Sequence, residues 1–407
     1  MDDTVQTEPP PGVRWYHPCD LPARGFEYEA VLRIFSSRMN TPGKVAIVHD
    51  WMVTMRGGEK VLEVLCELFP DATLFTLVHR RGALSPTIER MKIETSFIQK
   101  LPFGKSAYQK YLPLFPTAIE RMNVRDFDVV ISSSHAVAKG VRVRSDALHV
   151  CYCYTPMRYI WDQYDDYFGP GRSSLTNRLA MKMFVNYLRR WDRRTARDVD
   201  HFVAISQNVR ERIRRIYERD ATVIYPPVDV QRYKASGKDE GYFLIVSALV
   251  PYKRVDLAVE AFNRLGEKLV IIGTGAEQKR LQSMARKNIE FLGWVGDRYL
   301  PSYFEGCRAL IFPGEEDFGI VPVEAMASGK PVIAYAKGGA LETVVDGTTG
   351  ILFRERTAES LEHAVRGLGN STFKPDSIRS HAEQFDRAIF KERIRQFIAT
   401  ARDGEVH

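Results

Sequence analysis

The chain has 407 residues, 44% of them hydrophobic, with 58 Lys and Arg against 51 Asp and Glu and a net charge of +7. That length sustains two ordinary domains. No run of eighteen apolar residues is present to cross a bilayer. The five cysteines lack the spacing of a zinc site and read as free thiols of a reducing cytoplasm. The positive charge suits an anionic ligand or an anionic membrane surface, and by itself leaves nucleic acid open.

Residues 1–38 differ from the rest. PPPG and scattered charges give no clear element before a short apolar stretch at Val31–Phe35, and no basic, apolar and small-residue sequence marks a signal peptide. The composition break makes Met39 the expected native start and 1–38 a disordered tail or gene-boundary artefact, with a targeting or docking arm as the alternative.

From Val45 to about Asp200, short apolar runs alternate with helical patterns. VAIVHD leads through Gly57-Gly58 into a helix predicted over Glu59 to Leu68, and VVISSS, HVCYCY and HFVAIS read as further strands. Cys151 and Cys153 alternate along one strand and share a face. Asp126/Asp128 and Asp198/Asp200 have the Asp-x-Asp form of metal-dependent transferases. Both pairs lead into strands at their N-terminal ends, so they read as solvated strand starts and no metal site is expected. Pro226-Pro227 and the polar run Lys234–Gly241 mark a linker. A second alternating set follows: YFLIVSA, a helix from Asp256 to Leu265, KLVIIG, a helix from Glu277 to Arg286, IEFLGW, ALIFPG and PVIAY. This is an α/β reading with two facing Rossmann-like domains. The expected boundaries are an extension over 1–38, a first domain over 39–230, a second over 231–385, and a C-terminal helix over 386–407 packing across the junction.

The most informative segment is PGEEDFGIVPVEAMASGKPVIAY, Pro313 to Tyr335. Glu316 and Glu324 stand eight positions apart, with an Asp317-Phe318-Gly319 turn and a helix start between them. Pro322 suits a first helical turn and Gly329 the C′ position. The N–H groups of Gly319, Ile320 and Val321 would point into the space between the carboxylates. That arrangement offers an anion site flanked by two hydroxyl-binding groups, which matches a diphosphate between two sugars.

This stretch resembles the Glu-x7-Glu signature of retaining glycosyltransferases of family 4, which have the GT-B fold. VAIVHDW (45–51), GGEKVL (57–62), VVISSSHAVAKG (129–140), YTPMRYIWD (154–162), FVAIS (202–206), VIYPPVD (223–229), LVPYKRVDLAVEAF (249–262) and FLGWV (291–295) extend the resemblance from Val45 to Phe385 in the family's order. The resemblance implies Glu316 on a hydroxyl of the transferred sugar and Glu324 on the ribose. It implies Lys253 on the leaving diphosphate, with Arg254, Gly275, Val295 and Phe318 joining the donor contacts. Where the family carries an arginine beside this lysine the chain has Ala248, and where many relatives have a catalytic histidine it has Tyr154. Gly57, Gly58, His135, Arg158, Trp161 and Asp162 are the acceptor-side candidates, the last three with packing and salt bridging as the bland reading. The resemblance further implies transfer of a hexose with retention, without metal or cofactor and with the nucleotide sugar as co-substrate. Its closest character is that of envelope-polysaccharide mannosyltransferases using GDP-mannose on a lipid-linked or glycan acceptor, with no nucleic acid partner. A catalytically weakened nucleotide-sugar-binding protein and a nucleotide-sugar 2-epimerase are the rivals.

Two basic, aromatic stretches suit peripheral attachment to the inner face of the plasma membrane. Arg172 to Arg197 holds eight basic residues and one acidic residue, with Phe184, Tyr187, Leu188 and Trp191 on one helical sector and Arg178, Lys182, Arg189 and Arg193 on another; FGKSAYQKYLPLF (103–115) interleaves aromatics and lysines. A core-facing helix with a solvated basic side is the alternative.

Overall fold

A computed structural model describes residues 43–162, 175–370 and 372–404, without the side chains of 175–183 and 370. The extension over 1–38, Met39 and Cys19 lie outside the described residues, as do the side chains of Arg178 and Lys182.

Seven parallel strands form the first sheet: β1 (Val45–His49), β2 (Thr73–Thr76), β3 (Lys92–Thr95), β4 (Val129–Ser134), β5 (Leu148–Cys153), β6 (His201–Ala204) and β7 (Thr222–Val223). Their order is β3-β2-β1-β4-β5-β6-β7. β1, β4 and β5 are buried almost throughout, as central strands of a sheet covered on both faces must be, and they read as unbroken apolar or small-residue runs for that reason. Helix α1 (Gly57–Leu68) follows β1, and α2 (Leu175–Ala196) and α3 (Gln207–Tyr217) flank β6.

The second sheet holds β8 (Tyr242–Val246), β9 (Lys268–Ile272), β10 (Ile289–Gly293), β11 (Leu310–Phe312), β12 (Val332–Tyr335) and β13 (Gly350–Phe353), ordered β10-β9-β8-β11-β12-β13 and also parallel. Helix α4 (Val255–Leu265) follows β8 and α5 (Ile320–Ala327) follows β11. Each sheet thus reverses direction once, between β1 and β4 and between β8 and β11. Ligands of open α/β sheets bind beyond the strand ends at such switch points.

The chain passes between the domains twice, and the two passages lie side by side: Val228 N–H donates to the Phe385 carbonyl (2.9 Å) and Arg387 N–H to that of Val228 (3.1 Å). After α6 (Pro375–Glu383), which packs on α5, the last helix α7 (Arg387–Arg402) returns to the first domain. Phe390 meets Tyr152 edge-on at 5.6 Å between centroids, and Lys391 pairs with Glu67 at 2.8 Å.

Candidate functional site

The loops at the two switch points carry Gly57, Gly58, His135, Lys253 and Glu316 among the residues singled out by the sequence. Beyond β11, Glu316 lies against Lys253 from the loop after β8 as a buried-side ion pair, each side chain 19% exposed. Burial and the nearby charge of Arg158 push the Lys253 pKa down to about 7, with Asp317 pulling it back; the adjoining Glu316 carboxylate also favours the ammonium. The 316–318 loop is held by backbone contact. Gly339 N–H donates to the Glu316 carbonyl (2.8 Å), and a Cβ on Gly339 would stand 2.3 Å from the Phe318 Cα, so only glycine fits. Gly319 precedes α5 with a left-handed φ of 93°, and no side chain caps that helix. The first N–H groups of a helix have no partner within it and suit an anion. Ile320 and Val321 open the helix. Glu324 sits in its second turn, 4% exposed, and Lys60 reaches it from α1 at 3.0 Å. Gly329, just past the C-cap Ser328, takes φ 72° as a C′ residue does.

The first domain brings α1 to face this helix. A Cβ on Gly57 would lie 3.3 Å from the Ile320 side chain, so the two helix starts nearly touch. Glu59, in the first turn of α1, accepts the N–H of Arg56 at 3.0 Å. Beneath them is a buried polar chain. Tyr154 donates its hydroxyl proton to the Gly58 carbonyl (2.9 Å). Having spent that proton, it accepts from Ser133 (2.8 Å), which in turn accepts from His49 Nδ1 (3.0 Å). Burial holds the Tyr154 pKa far above that of a free phenol. At the end of β1, Asp50 is fully buried and accepts the backbone N–H groups of His135, Ala136, Val137 and Ala138 at 2.6–3.0 Å, with His135 Nδ1 also at 3.0 Å. Burial disfavours both charges, yet their pairing wins: Asp50 is held well below the usual carboxylate range and His135 is raised.

Several expectations need correction. Phe318 is no donor contact through its ring, which is 3% exposed and stacked on Tyr225 at 5.5 Å, anchoring the loop. Tyr154 has no free tip for a sugar, because both its hydrogen bonds close inside the first domain and fix Gly58. Arg254, a donor-side candidate next to Lys253, pairs here with Asp256 at 3.0 Å. The close backbone approach at Gly275 is to its neighbour, a Cβ there falling 2.2 Å from the Leu249 carbonyl. Trp161 is a packing residue: its Nε1 donates to Asp192 (2.8 Å) and Arg189 and Arg193 lie over its ring. Val295 is half-buried against the core beyond β10. Arg158 does enter the cleft, pairing with Asp317 at 3.0 Å beside Arg212 at 2.7 Å. Asp162 pairs with Arg212 and Arg215. Asp128 and Asp200 accept backbone N–H groups from Lys44 and His149, the role of strand starts.

Sequence reasoning missed His49, Asp50 and Ser133 as a polar floor. The signal was present in VAIVHDW and VVISSSH, where polar residues end otherwise apolar strands. Among the described residues no helix is long and apolar enough to cross a membrane.

Comparison with known proteins bears on the fold. Residues 55–232 match the family model "Glycosyltransferase Family 4" and residues 230–385 the model "Glycosyl transferases group 1". Together with the twin switch-point sheets, these adjoining matches support a GT-B glycosyltransferase family for the chain. An uncharacterized glycosyltransferase of Methanocaldococcus jannaschii is 29% identical over 48% of this chain and 56% of its own length. The GDP-mannose-dependent alpha-(1-6)-phosphatidylinositol monomannoside mannosyltransferase of Mycolicibacterium smegmatis is 27% identical over 43% of this chain and 54% of its own length. The chain thus spans about half the length of these curated relatives. The Anabaena protein HepE in complex with UDP has a similar fold, with TM-score 0.61 at 18% identity, over 88% of this chain and 100% of that one. Sucrose-phosphate synthase from Thermosynechococcus elongatus does so too, with TM-score 0.64 at 16% identity, over 88% of this chain and 99% of that one.

Proposed function

We propose that this protein is a retaining, metal-independent glycosyltransferase that moves a hexose from a nucleotide sugar to a lipid-linked or glycan acceptor. The observation that carries the reading is the pairing of Glu316 with Lys253, and of Glu324 with Lys60, around the uncapped start of α5. The ribose would bond Glu324, the diphosphate would take the α5 N–H groups and Lys253, and the sugar would lie at Glu316. Both ion pairs would then open to the ligand. The bond from C1 to the leaving phosphate breaks as the acceptor oxygen attacks the same face, and the acceptor's proton passes to the departing phosphate oxygen. No protein nucleophile is needed, so catalysis rests on positioning and electrostatic stabilisation.

GDP-mannose is the proposed donor, supported by the one mannosyltransferase among the named relatives. The proposed setting is the cytoplasmic membrane surface, supported by exposed Phe103, Leu114 and Tyr187 in the basic, aromatic stretches. The test is a panel of UDP- and GDP-sugars incubated with the protein and lipid extract, with nucleotide release measured and the product anomer read by NMR. Transfer from GDP-mannose with retention, unchanged by EDTA, is expected. Inversion, or activity lost to EDTA and restored by magnesium or manganese, would contradict the mechanism. Tight nucleotide-sugar binding without turnover would favour a binding protein, a reading that Ala248 and the occupied Tyr154 hydroxyl support.

A further inference from the structure

A second cavity, of about 450 Å³, opens between the domains beside the proposed transfer site. Its lining includes Arg158, Arg212 and Arg215 from the first domain and Lys337 and Arg356 from the second, against the carboxylates Asp162, Glu211 and Glu315. Most of these cations are already committed: Arg212 and Arg215 to Asp162, Arg158 and Arg212 to Asp317, Lys337 to Glu315. Arg356 is different. Among the described residues it pairs with no carboxylate, its Nη2 donates only to the Tyr252 carbonyl (3.4 Å), and its Nε–H is buried without a partner, as is that of Arg158. A guanidinium is a planar fork shaped for two oxygens of one phosphate, and a buried donor left unbonded is costly. Two such incomplete forks line the same cavity.

The cavity also differs in place from the donor elements. Lys337 and Arg356 follow β12 and β13, at the edge of the sheet opposite β9 and β10. Tyr252 and Glu315 join it to the neighbouring Lys253 and Glu316. We propose that this cavity is a second anion site, separate from the donor diphosphate, that takes a phosphate or pyrophosphate group. Such a group would be carried by the acceptor or be free in solution as an effector. The proposal deepens the glycosyl-transfer reading in its acceptor form, while the site itself can be tested without turnover.

The probe is inorganic pyrophosphate, titrated calorimetrically into the full chain saturated with nucleoside diphosphate. One further site is expected, weakened about tenfold or more in Arg356→Gln, since a bidentate contact is worth at least the 1.4 kcal/mol of one decade. Lys337→Gln is a second variant should Arg356→Gln unfold. Pyrophosphate that binds only when nucleotide is absent, or equally well to both variants and wild type, would overturn the proposal. If no nucleoside diphosphate binds, the donor reading fails, and the same titration on the free protein still reads the cavity through Arg356→Gln. Two arms separate the sources. Pyrophosphate that competes with lipid-extract acceptor, with the acceptor KM raised in Arg356→Gln, assigns the group to the acceptor; a change in turnover that excess acceptor cannot reverse assigns it to a free effector.

Discussion

Lys253 and Tyr154 show how surroundings change what a side chain can do. Burial and Arg158 lower the Lys253 pKa to about 7 against the pull of its Glu316 partner, so in the free protein Lys253 gives up its proton at lower pH than an ordinary lysine. A bound diphosphate favours the ammonium, so binding above that pKa takes up a proton. Between pH 7.5 and 9, where the nucleotide's terminal phosphate has finished ionising, affinity for a nucleoside diphosphate should therefore fall, at most about tenfold per pH unit for one linked proton. Calorimetry in buffers of different ionisation enthalpy reads the uptake, and Lys253→Arg should abolish it. Tyr154→Phe tests a different role. Because the hydroxyl holds Gly58 rather than substrate, its loss should cost about 1–3 kcal/mol of stability in denaturant unfolding and leave kcat within about tenfold, less than the loss of a transition-state contact. A 10²–10³ fall in kcat at unchanged stability would instead place the hydroxyl on the reacting sugar.

At the level of elements, Asp50 organises the end of β1 and the turn after β4 by accepting four backbone N–H groups and one ring. Asn offers one acceptor oxygen and two donors, so Asp50→Asn should destabilise by about 3–5 kcal/mol in chemical denaturation. The pH dependence follows from the signs of the shifts. The lowered Asp50 pKa stabilises fully above the unfolded value near 3.9 and is lost as pH falls through the folded one; the raised His135 pKa stabilises fully below about 6.5 and is lost as pH rises through its folded value. The stability gap between wild type and His135→Gln should therefore be largest between roughly pH 4 and 6.5 and shrink by pH 9. Equal gaps at pH 6 and 9 would contradict the charged pair.

The same scale shows what the sequence made legible. Helix α5, its opening glycine and its C′ glycine were readable because turn chemistry and periodicity agree there. The strands β2, β3, β7 and β13 were not. Lys92–Thr95 is mostly exposed at the sheet edge and Thr222–Val223 is only two residues long, so neither carries an apolar run. At Gly275 the packing reason was hidden, because a glycine required by a neighbouring carbonyl looks in sequence like one required by a ligand. The fates of Arg254 and Trp161 depended on partners, Asp256 and Asp192, whose geometry no spacing rule supplies.

Over the whole molecule, the polar bridges across the cleft among the described residues include Lys60 to Glu324 and Asp297, Arg158 and Arg212 to Asp317, and the start of α3 to Glu342 through the Gln207 and Asn208 N–H groups. Polar contacts of this kind trade readily for ligand oxygens, because an incoming diphosphate or hydroxyl replaces the partner that is released. In the proposed reading, Glu316 meets the transferred sugar at the meeting of the two switch points. It is tested most directly by the single-turnover rate of sugar transfer from a bound nucleotide sugar in wild type and Glu316→Gln, with donor affinity and unfolding midpoint measured on both proteins. The account predicts a loss on the order of 10²–10³ in rate at little-changed stability; an unaltered rate in a folded, donor-saturated Glu316→Gln protein would contradict it.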